Sequence, residues 1–193
     1  MSGIVGSYFN TRGSGVVAKL GTDGQVFTST GAGLSQGFEA AAGGGKIGQV
    51  VQATKTDTAS VSGTSYADLG FSAAITPVAS SSKIFVLFNM MLSTVTGERG
   101  GVKLVRDSTD LLIGDAASNR ARSTHMIVSA TTTNCIPTVV SYLDSPSTTS
   151  ETTYKIQCFG EGNAFNINAN NADSDSASHS RGASSVILME VLA

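Results

Sequence analysis

Two histidines, two cysteines and 14 scattered carboxylates are the first residues to weigh for acid–base, nucleophilic or metal chemistry. His125 lies between Thr124 and Met126, and His179 sits in a serine-rich stretch. Neither has a cysteine or carboxylate at the spacing a zinc site requires, so both read as surface or half-buried imidazoles. Cys135 and Cys158 allow one bridge at most. Cys158 falls in step with Tyr154 and Ile156, which points to a buried free thiol. Gly33-Leu34-Ser35-Gln36-Gly37 matches the Gly-x-Ser-x-Gly nucleophile elbow. That elbow works on a strand-to-helix turn, and residues 38–42 are too short a helix before Gly43-Gly44-Gly45. Gly13-Ser14-Gly15 follows no clear strand and opens no clear helix, so it is not a dinucleotide loop. The Asn/Asp-rich stretch 168–175 offers oxygen ligands but lacks calcium-loop spacing and a terminal glutamate. Glycan cleavage needs paired carboxylates and an extended sugar groove, and this chain has no Trp. The reading is of a non-enzyme with no catalytic residue, no metal and no cofactor.

Composition narrows the class further. The 193 residues suffice for one ordinary domain plus an arm. Charged residues make up 13% of the chain, against roughly 25% in an average soluble protein, so hydroxyls and amides carry the polar surface. The net charge is −2 with no basic stripe, which speaks against nucleic acid as a partner. The longest apolar run, residues 84–92, is broken by Asn89 and falls short of the ~20 residues of a membrane helix, so no membrane insertion is expected. Residues 1–10 lack the basic and apolar regions of a secretory signal, and the expected site of assembly is the cytoplasm.

The chain divides near residue 46. Twelve of its 22 glycines precede that point. Glycine loses much backbone entropy on ordering, so residues 1–45 cannot build a core alone. They still carry apolar residues, including Ile4, Val5, Tyr8, Phe9, Val16 and Val17. An extended arm that orders on docking fits this composition; the alternative is a disordered leader. No helix is expected beyond a turn or two at residues 37–42.

From Lys46 onward the apolar residues recur with period two, the signature of half-buried strands. The clearest is residues 154–159; others fall at 47–53, 68–75, 101–106, 111–113, 136–143 and 163–168. Turn clusters separate them at 79–82, 97–101, 144–150 and 168–182. Many short strands so punctuated predict an all-β domain, an antiparallel jelly roll or β-sandwich, over residues 46–193.

Two strands do not alternate. Ile84-Phe85-Val86-Leu87-Phe88 is apolar on both faces, and so is Val186-Ile187-Leu188-Met189, extended by Val191 and Leu192. A sandwich strand keeps one face toward the core and one toward water. These two need cover on both, from another segment of the same chain or from a neighbouring subunit. On the second reading Phe85, Leu87, Phe88, Ile187, Met189 and Val191 form an oligomer interface.

Residues 46–193 also resemble a C-terminal domain of structural proteins of tailed phages, especially marine and cyanobacterial ones. The matching phrases run in order. They begin with Lys46-Ile47-Gly48-Gln49-Val50-Val51-Gln52 and Ile75-Thr76-Pro77, and continue with Leu104-Val105-Arg106-Asp107-Ser108-Thr109. The most distinctive is Tyr142-Leu143-Asp144-Ser145-Pro146-Ser147-Thr148-Thr149-Ser150 with Thr153-Tyr154-Lys155-Ile156-Gln157 behind it; Ser184-Ser185-Val186-Ile187-Leu188-Met189-Glu190-Val191 closes the series. Gly21-Thr22-Asp23-Gly24-Gln25-Val26-Phe27-Thr28-Ser29-Thr30-Gly31-Ala32-Gly33 in the arm is similar to phage fibre connectors. The resemblance implies a virion protein: a homotrimeric tail fibre or appendage whose knob projects outward, or alternatively a capsid decoration protein without a receptor role. It implies that Ile4, Val5, Tyr8, Phe9, Val16 and Val17 anchor the arm on other phage structural proteins, in the tail or the capsid. Host-surface glycan contact would fall to the loops 97–101, 116–122 and 168–182, with Arg120, Arg122 and Arg181 facing anionic sugars. Asp144 is expected to cap its turn through its side chain, and Pro146 to fix the turn's backbone.

Overall fold

The computed structural model describes residues 46–193 in full, together with the backbone of two short strands in the arm. The chain divides into two units, Met1–Gly44 and Gly45–Ala193. In the first, β1 (Gln25–Thr28) pairs antiparallel with β2 (Gly37–Ala40), Phe27 standing opposite Phe38. The residue that closes the Gly-x-Ser-x-Gly match therefore opens a strand, and the helix that a nucleophile elbow requires does not follow it.

The second unit is built of strands alone. β3 (Ile47–Lys55), β4 (Ala59–Val61), β5 (Ala67–Ile75) and β6 (Lys83–Thr94) come first. β7 (Arg99–Arg106), β8 (Thr109–Leu111), β9 (His125–Val128) and β10 (Ile136–Asp144) follow. β11 (Thr152–Gly160), β12 (Phe165–Ile167) and β13 (Ser184–Val191) complete it. Every pairing between these strands is antiparallel.

One sheet runs β3-β13-β6-β10, with β12 and β4 continuing it beside the far end of β6. The other runs β5-β11-β7, and the remaining edge of β7 is shared by β8 and β9. Setting aside the three-residue strands β4, β8 and β12, the first sheet takes the first, last, third and sixth strands in chain order. The second takes the second, seventh, fourth and fifth. That interleaving is the jelly roll, in which a long antiparallel ribbon is wound so that consecutive strands alternate between sheets except at the central pair, here the fourth and fifth. The all-β, sandwich-type fold expected from period-two patterning is present.

The core lies between the inward faces. Ile84, Val86, Phe88, Met90 and Leu92 of β6 and Val186 and Leu188 of β13 come from the first sheet. Leu69, Phe71, Val102, Leu104, Tyr154 and Ile156 come from the second. The Phe71 and Phe88 rings meet edge to face across the gap, with centroids 5.3 Å apart. Cys158 is buried in this layer as a free thiol, and burial pushes its pKa up. Cys135 is also free.

Several local expectations change in three dimensions. Residues 99–101, read as a turn, start β7. The two glycines there are packing devices, because a Cβ at Gly100 would run into the Phe165 ring and one at Gly101 into Phe159. β6 continues past the apolar run to Thr94. β8 stops at Leu111, and Leu112 adopts a left-handed backbone with φ 48°. Asp144 does not cap its turn. Its carboxylate points inward and accepts hydrogen bonds from the Tyr154 hydroxyl and from Arg106 Nη1, each at 2.7 Å. Within the turn, Thr148 Oγ1 accepts from the Ser150 amide instead.

Candidate functional site

The two sheets differ sharply on their outward faces. On the second sheet, Asp68 of β5 accepts from Lys155 Nζ at 2.9 Å and Gln157 Nε2 at 2.7 Å, both from β11. Lys103 pairs with Asp110 at 2.8 Å and lies over the Tyr66 ring, 4.5 Å from its centroid. Hydrogen bonding from Lys155 holds the Asp68 carboxyl below its ordinary range, and Gln157 adds to it, against a smaller opposing effect of burial. Burial raises the Tyr66 hydroxyl to about 12. Polar and charged groups cover this face over β5, β11 and β7, and Met126 and Val128 are exposed on the edge strand β9.

The outward face of the first sheet carries an apolar row and few charges. Strand register aligns Val50 with Met189, Met189 with Phe85 and Phe85 with Leu143, one row across four strands. The next row is Gln52, Ile187, Leu87 and Ser141, and the one after it Thr54, Ser185, Asn89 and Val139. Val50 is 57% exposed, Val139 51% and Leu143 47%. Along these four strands the outward-facing charged residue is Lys83, at the end where it stands opposite Val191. The one carboxylate of β13, Glu190, turns inward.

The alternation that produces this face is simple. In β6 the buried residues Ile84, Val86 and Phe88 alternate with the half-buried Phe85 and Leu87. In β13 buried Val186 and Leu188 alternate with half-buried Ile187, Met189 and Val191. Of the six residues read as an interface, Phe85, Leu87, Ile187, Met189 and Val191 share the outward face. Phe88 has the opposite parity and is fully buried in the core against Phe71. It leaves the set, since period two sends neighbouring side chains to opposite faces.

The other residues singled out from sequence are dispersed. Arg120 and Arg122 lie between β8 and β9, and Arg122 Nε donates to the Gly114 carbonyl at 2.7 Å. Arg181 lies between β12 and β13 and pairs with Asp173 at 3.0 Å. No hydrogen bond joins Arg181 to either of the other two among the described residues. Ile4, Val5, Tyr8, Phe9, Val16 and Val17 lie outside the described residues. His125 Nε2 approaches the Val139 carbonyl at 3.0 Å, and His179 Nδ1 accepts from the Ser174 amide at 3.2 Å. Among the described residues no group of three or more His, Cys, Asp or Glu is placed to hold a metal ion. No described helix is long and apolar enough to cross a membrane.

Two buried polar side chains were not picked out from sequence. Glu190, fully buried, accepts from Gln49 Nε2 at 2.7 Å and from the Val78 amide at 2.8 Å, so it ties the loop after β5 to β13. Burial alone would raise its pKa; the hydrogen bonds from Gln49 and the Val78 amide oppose that, and the carboxyl is held below the usual range. Its inward parity with Val186 and Leu188 was the available signal. Asn168, also fully buried with φ 62°, donates from Nδ2 to the carbonyls of Lys55 (2.7 Å) and Asp57 (3.0 Å). Its Oδ1 accepts from Ser184 Oγ at 2.6 Å. Nothing local in the sequence marks this role, because all three partners are distant along the chain.

Fold and face together define a class: a jelly-roll β-sandwich with one sheet face bearing ion pairs and the other bearing an apolar row across four strands. No protein family matches the chain, and no curated protein matches it. It is similar to a solved chain described as "Bacillus endospore appendages form a novel family of disulfide-linked pili". The identity is 13%, over 80% of this chain and 97% of that one, with a TM-score of 0.27. A likeness at that level carries no argument about this chain.

Proposed function

We propose that this chain is a structural subunit of a tailed-phage virion, a fibre or appendage protein whose jelly-roll unit associates with further copies of itself. The observation that carries the reading is the row Val50–Met189–Phe85–Leu143, apolar across four strands on the outward side of a sheet. Such a surface in water is unfavourable by roughly 25 cal/mol for each Å² of apolar area that association would remove. The other sheet carries Lys–Asp pairs over β5, β11, β7 and β8, and its exposed apolar residues, Met126 and Val128, lie on its short edge strand β9.

The occupant we assign is a second copy of this chain. The face is uncharged apart from Lys83 at its margin, so apposing identical patches brings no like charges into the centre of a contact. A closed symmetric assembly buries one such patch per subunit. The sequence resemblance to phage fibre knobs supports a trimer and a virion location, with the arm docking on a phage structural partner. The reading assigns no reaction to the chain.

The test is the mass of the purified full chain in solution, by light scattering over a dilution series. A stable trimer supports the reading, and Met189→Glu and Leu87→Lys are expected to convert it to a folded monomer. A wild-type chain that remains monomeric at micromolar concentration overturns it. Labelling of virions with antibody against the chain then separates a tail location from the capsid surface.

A further inference from the structure

The segment between β12 and β13 forms a polar cleft over β4 and β12, on the same outward side of the first sheet but beyond the apolar row of Val50, Met189, Phe85 and Leu143. The cleft measures about 230 Å³ and is lined by Thr58, Ser60, Asn166, Asn170, Asn171 and Asp173. A second hollow of about 340 Å³ shares Asp173 and extends past Ser174, Asp175, His179 and Arg181. Asn170 is 1% exposed, and its Nδ2 has no hydrogen-bond partner, while its Oδ1 accepts from the Asp173 amide at 2.7 Å. A buried amide left half-satisfied costs on the order of 1–3 kcal/mol, and such groups in native folds call for an explanation.

The cleft is also held in shape. Asn168 fixes the start of the segment to the β3–β4 connection, as described above. Ser93 Oγ donates to the Ala169 carbonyl at 2.8 Å, and the Ala172 amide donates to the Thr132 carbonyl at 3.0 Å. The Gly182 amide returns to the Asn168 carbonyl at 3.0 Å and closes the segment on itself. A surface loop tied at four points is organised before any ligand arrives, which lowers the entropy cost of binding.

We infer that this cleft is a subsite for a neutral saccharide. Its walls alternate hydroxyls, amides and a carboxylate, which matches hydroxyl groups that both donate and accept. The apolar contribution to the lining is Ala59 and Ala169, too little for a hydrophobic ligand, and no aromatic ring is present to stack a nucleobase. An anionic sugar is disfavoured. Arg181, the nearby cation, is already compensated by Asp173 at 3.0 Å, and Asp175 adds a further negative charge. The volume is below the roughly 300–1,000 Å³ of drug-sized pockets, so one ring is held and the affinity of a single site is weak. The inference rests on the appendage reading for its usefulness, because several copies on one particle turn weak sites into avid ones.

The test is titration of the isotope-labelled full chain with D-glucose, D-galactose, D-mannose, N-acetylglucosamine and, as the anion, N-acetylneuraminic acid. Saturable amide shifts at Thr58, Ser60, Asn170, Asn171 and Asp173, with the Asn170 side-chain NH₂ moving too, are expected from at least one neutral sugar, with Kd of about 1–50 mM. Ser60→Ala and Asn171→Ala, both outside the core, should each weaken that binding by about 3- to 10-fold with the fold intact. Silence from all four neutral sugars up to about 100 mM, shifts confined to another surface, or tighter binding of the acid would overturn the inference. The oligomer mass is read on the same samples. An assembled chain that ignores every sugar removes the subsite and leaves the structural role. A sugar-binding monomer does the reverse.

Discussion

The Tyr154 hydroxyl donates to Asp144 Oδ2 at 2.7 Å, and the bond joins the two sheets of the sandwich. Asp144 ends β10 in the first sheet, and Tyr154 lies on β11 in the second. Arg106, on β7 beside Tyr154, donates to the same oxygen. Burial pushes the tyrosine's pKa up, and its bond to the carboxylate pushes it further. The Asp144 carboxylate is 4% exposed, so its two donors replace the water it has lost.

Removing one donor should cost less than removing the acceptor. Tyr154→Phe deletes a single hydrogen bond to a charged group and is expected to destabilise by about 1.5–3 kcal/mol. Asp144→Ala strands both the tyrosine hydroxyl and Arg106 and should cost about 3–5 kcal/mol. Urea unfolding of both variants and of the double variant checks this. Equal losses from the two single changes would show that the carboxylate is not shared.

Phe88 and Phe85 are three residues apart along β6 and answer to different forces. Phe88→Ala opens a cavity in the core and should cost about 3–5 kcal/mol of stability. Phe85→Ser, on the outward face, should change the monomer's stability by less than about 1 kcal/mol and shift the assembly toward smaller species. Thermal melts at low concentration, set beside light scattering, separate the two effects.

Acid should loosen the loop after β5. Glu190 has a folded-state pKa below its ordinary 4.5, so the folded state favours its charged form. That contribution is fully present above pH 4.5 and is lost as the pH falls through the lowered value. Asp68, also lowered, acts in the same sense from 3.8 downward, its partly exposed pair with Lys155 contributing less. Glu190→Gln should therefore be less stable at neutral pH and lose part of the acid dependence, measured by unfolding free energy between pH 7 and pH 3. An unchanged slope in the variant would exclude Glu190 as its source.

Asn168→Ala should release the segment between β12 and β13. It removes two donated bonds and one accepted bond from a fully buried amide, and leaves the Lys55 and Asp57 carbonyls short of partners. A loss of about 2–4 kcal/mol is expected. Amide exchange at Ala169–Asp173 should rise well above that of β13. Asn168→Asp, which keeps the acceptor and loses both donors, should recover little.

Period-two patterning is why the strand layout was legible. Residues 154–159 could hide Tyr154, Ile156 and Cys158 in one way only, and that way set both the strand and its inner face. The doubly apolar runs at 84–88 and 186–189 likewise announced a second hydrophobic surface before any fold was known. Local sequence went wrong where a distant neighbour decided the outcome. Phe88 looked like interface because its run was apolar throughout, yet its parity faces Phe71. Gly100 and Gly101 looked like a turn, and two phenylalanine rings explain them instead.

The sequence by itself determined the class: strands rather than helices, a break near residue 45, a surface made of hydroxyls, and more apolar surface than one core consumes. These are properties of composition and of alternation along a few residues, and they survive without knowledge of contacts. Only the tertiary structure decided which strands are neighbours. It thereby set Val50, Met189, Phe85 and Leu143 in one row, gave Asp144 its partners, and brought Asn168 to the carbonyls of Lys55 and Asp57. Those relationships join residues up to 139 positions apart, from Val50 to Met189. Pairing at such distances is chosen by the whole folded chain burying its core at once, and no window of local sequence contains that choice.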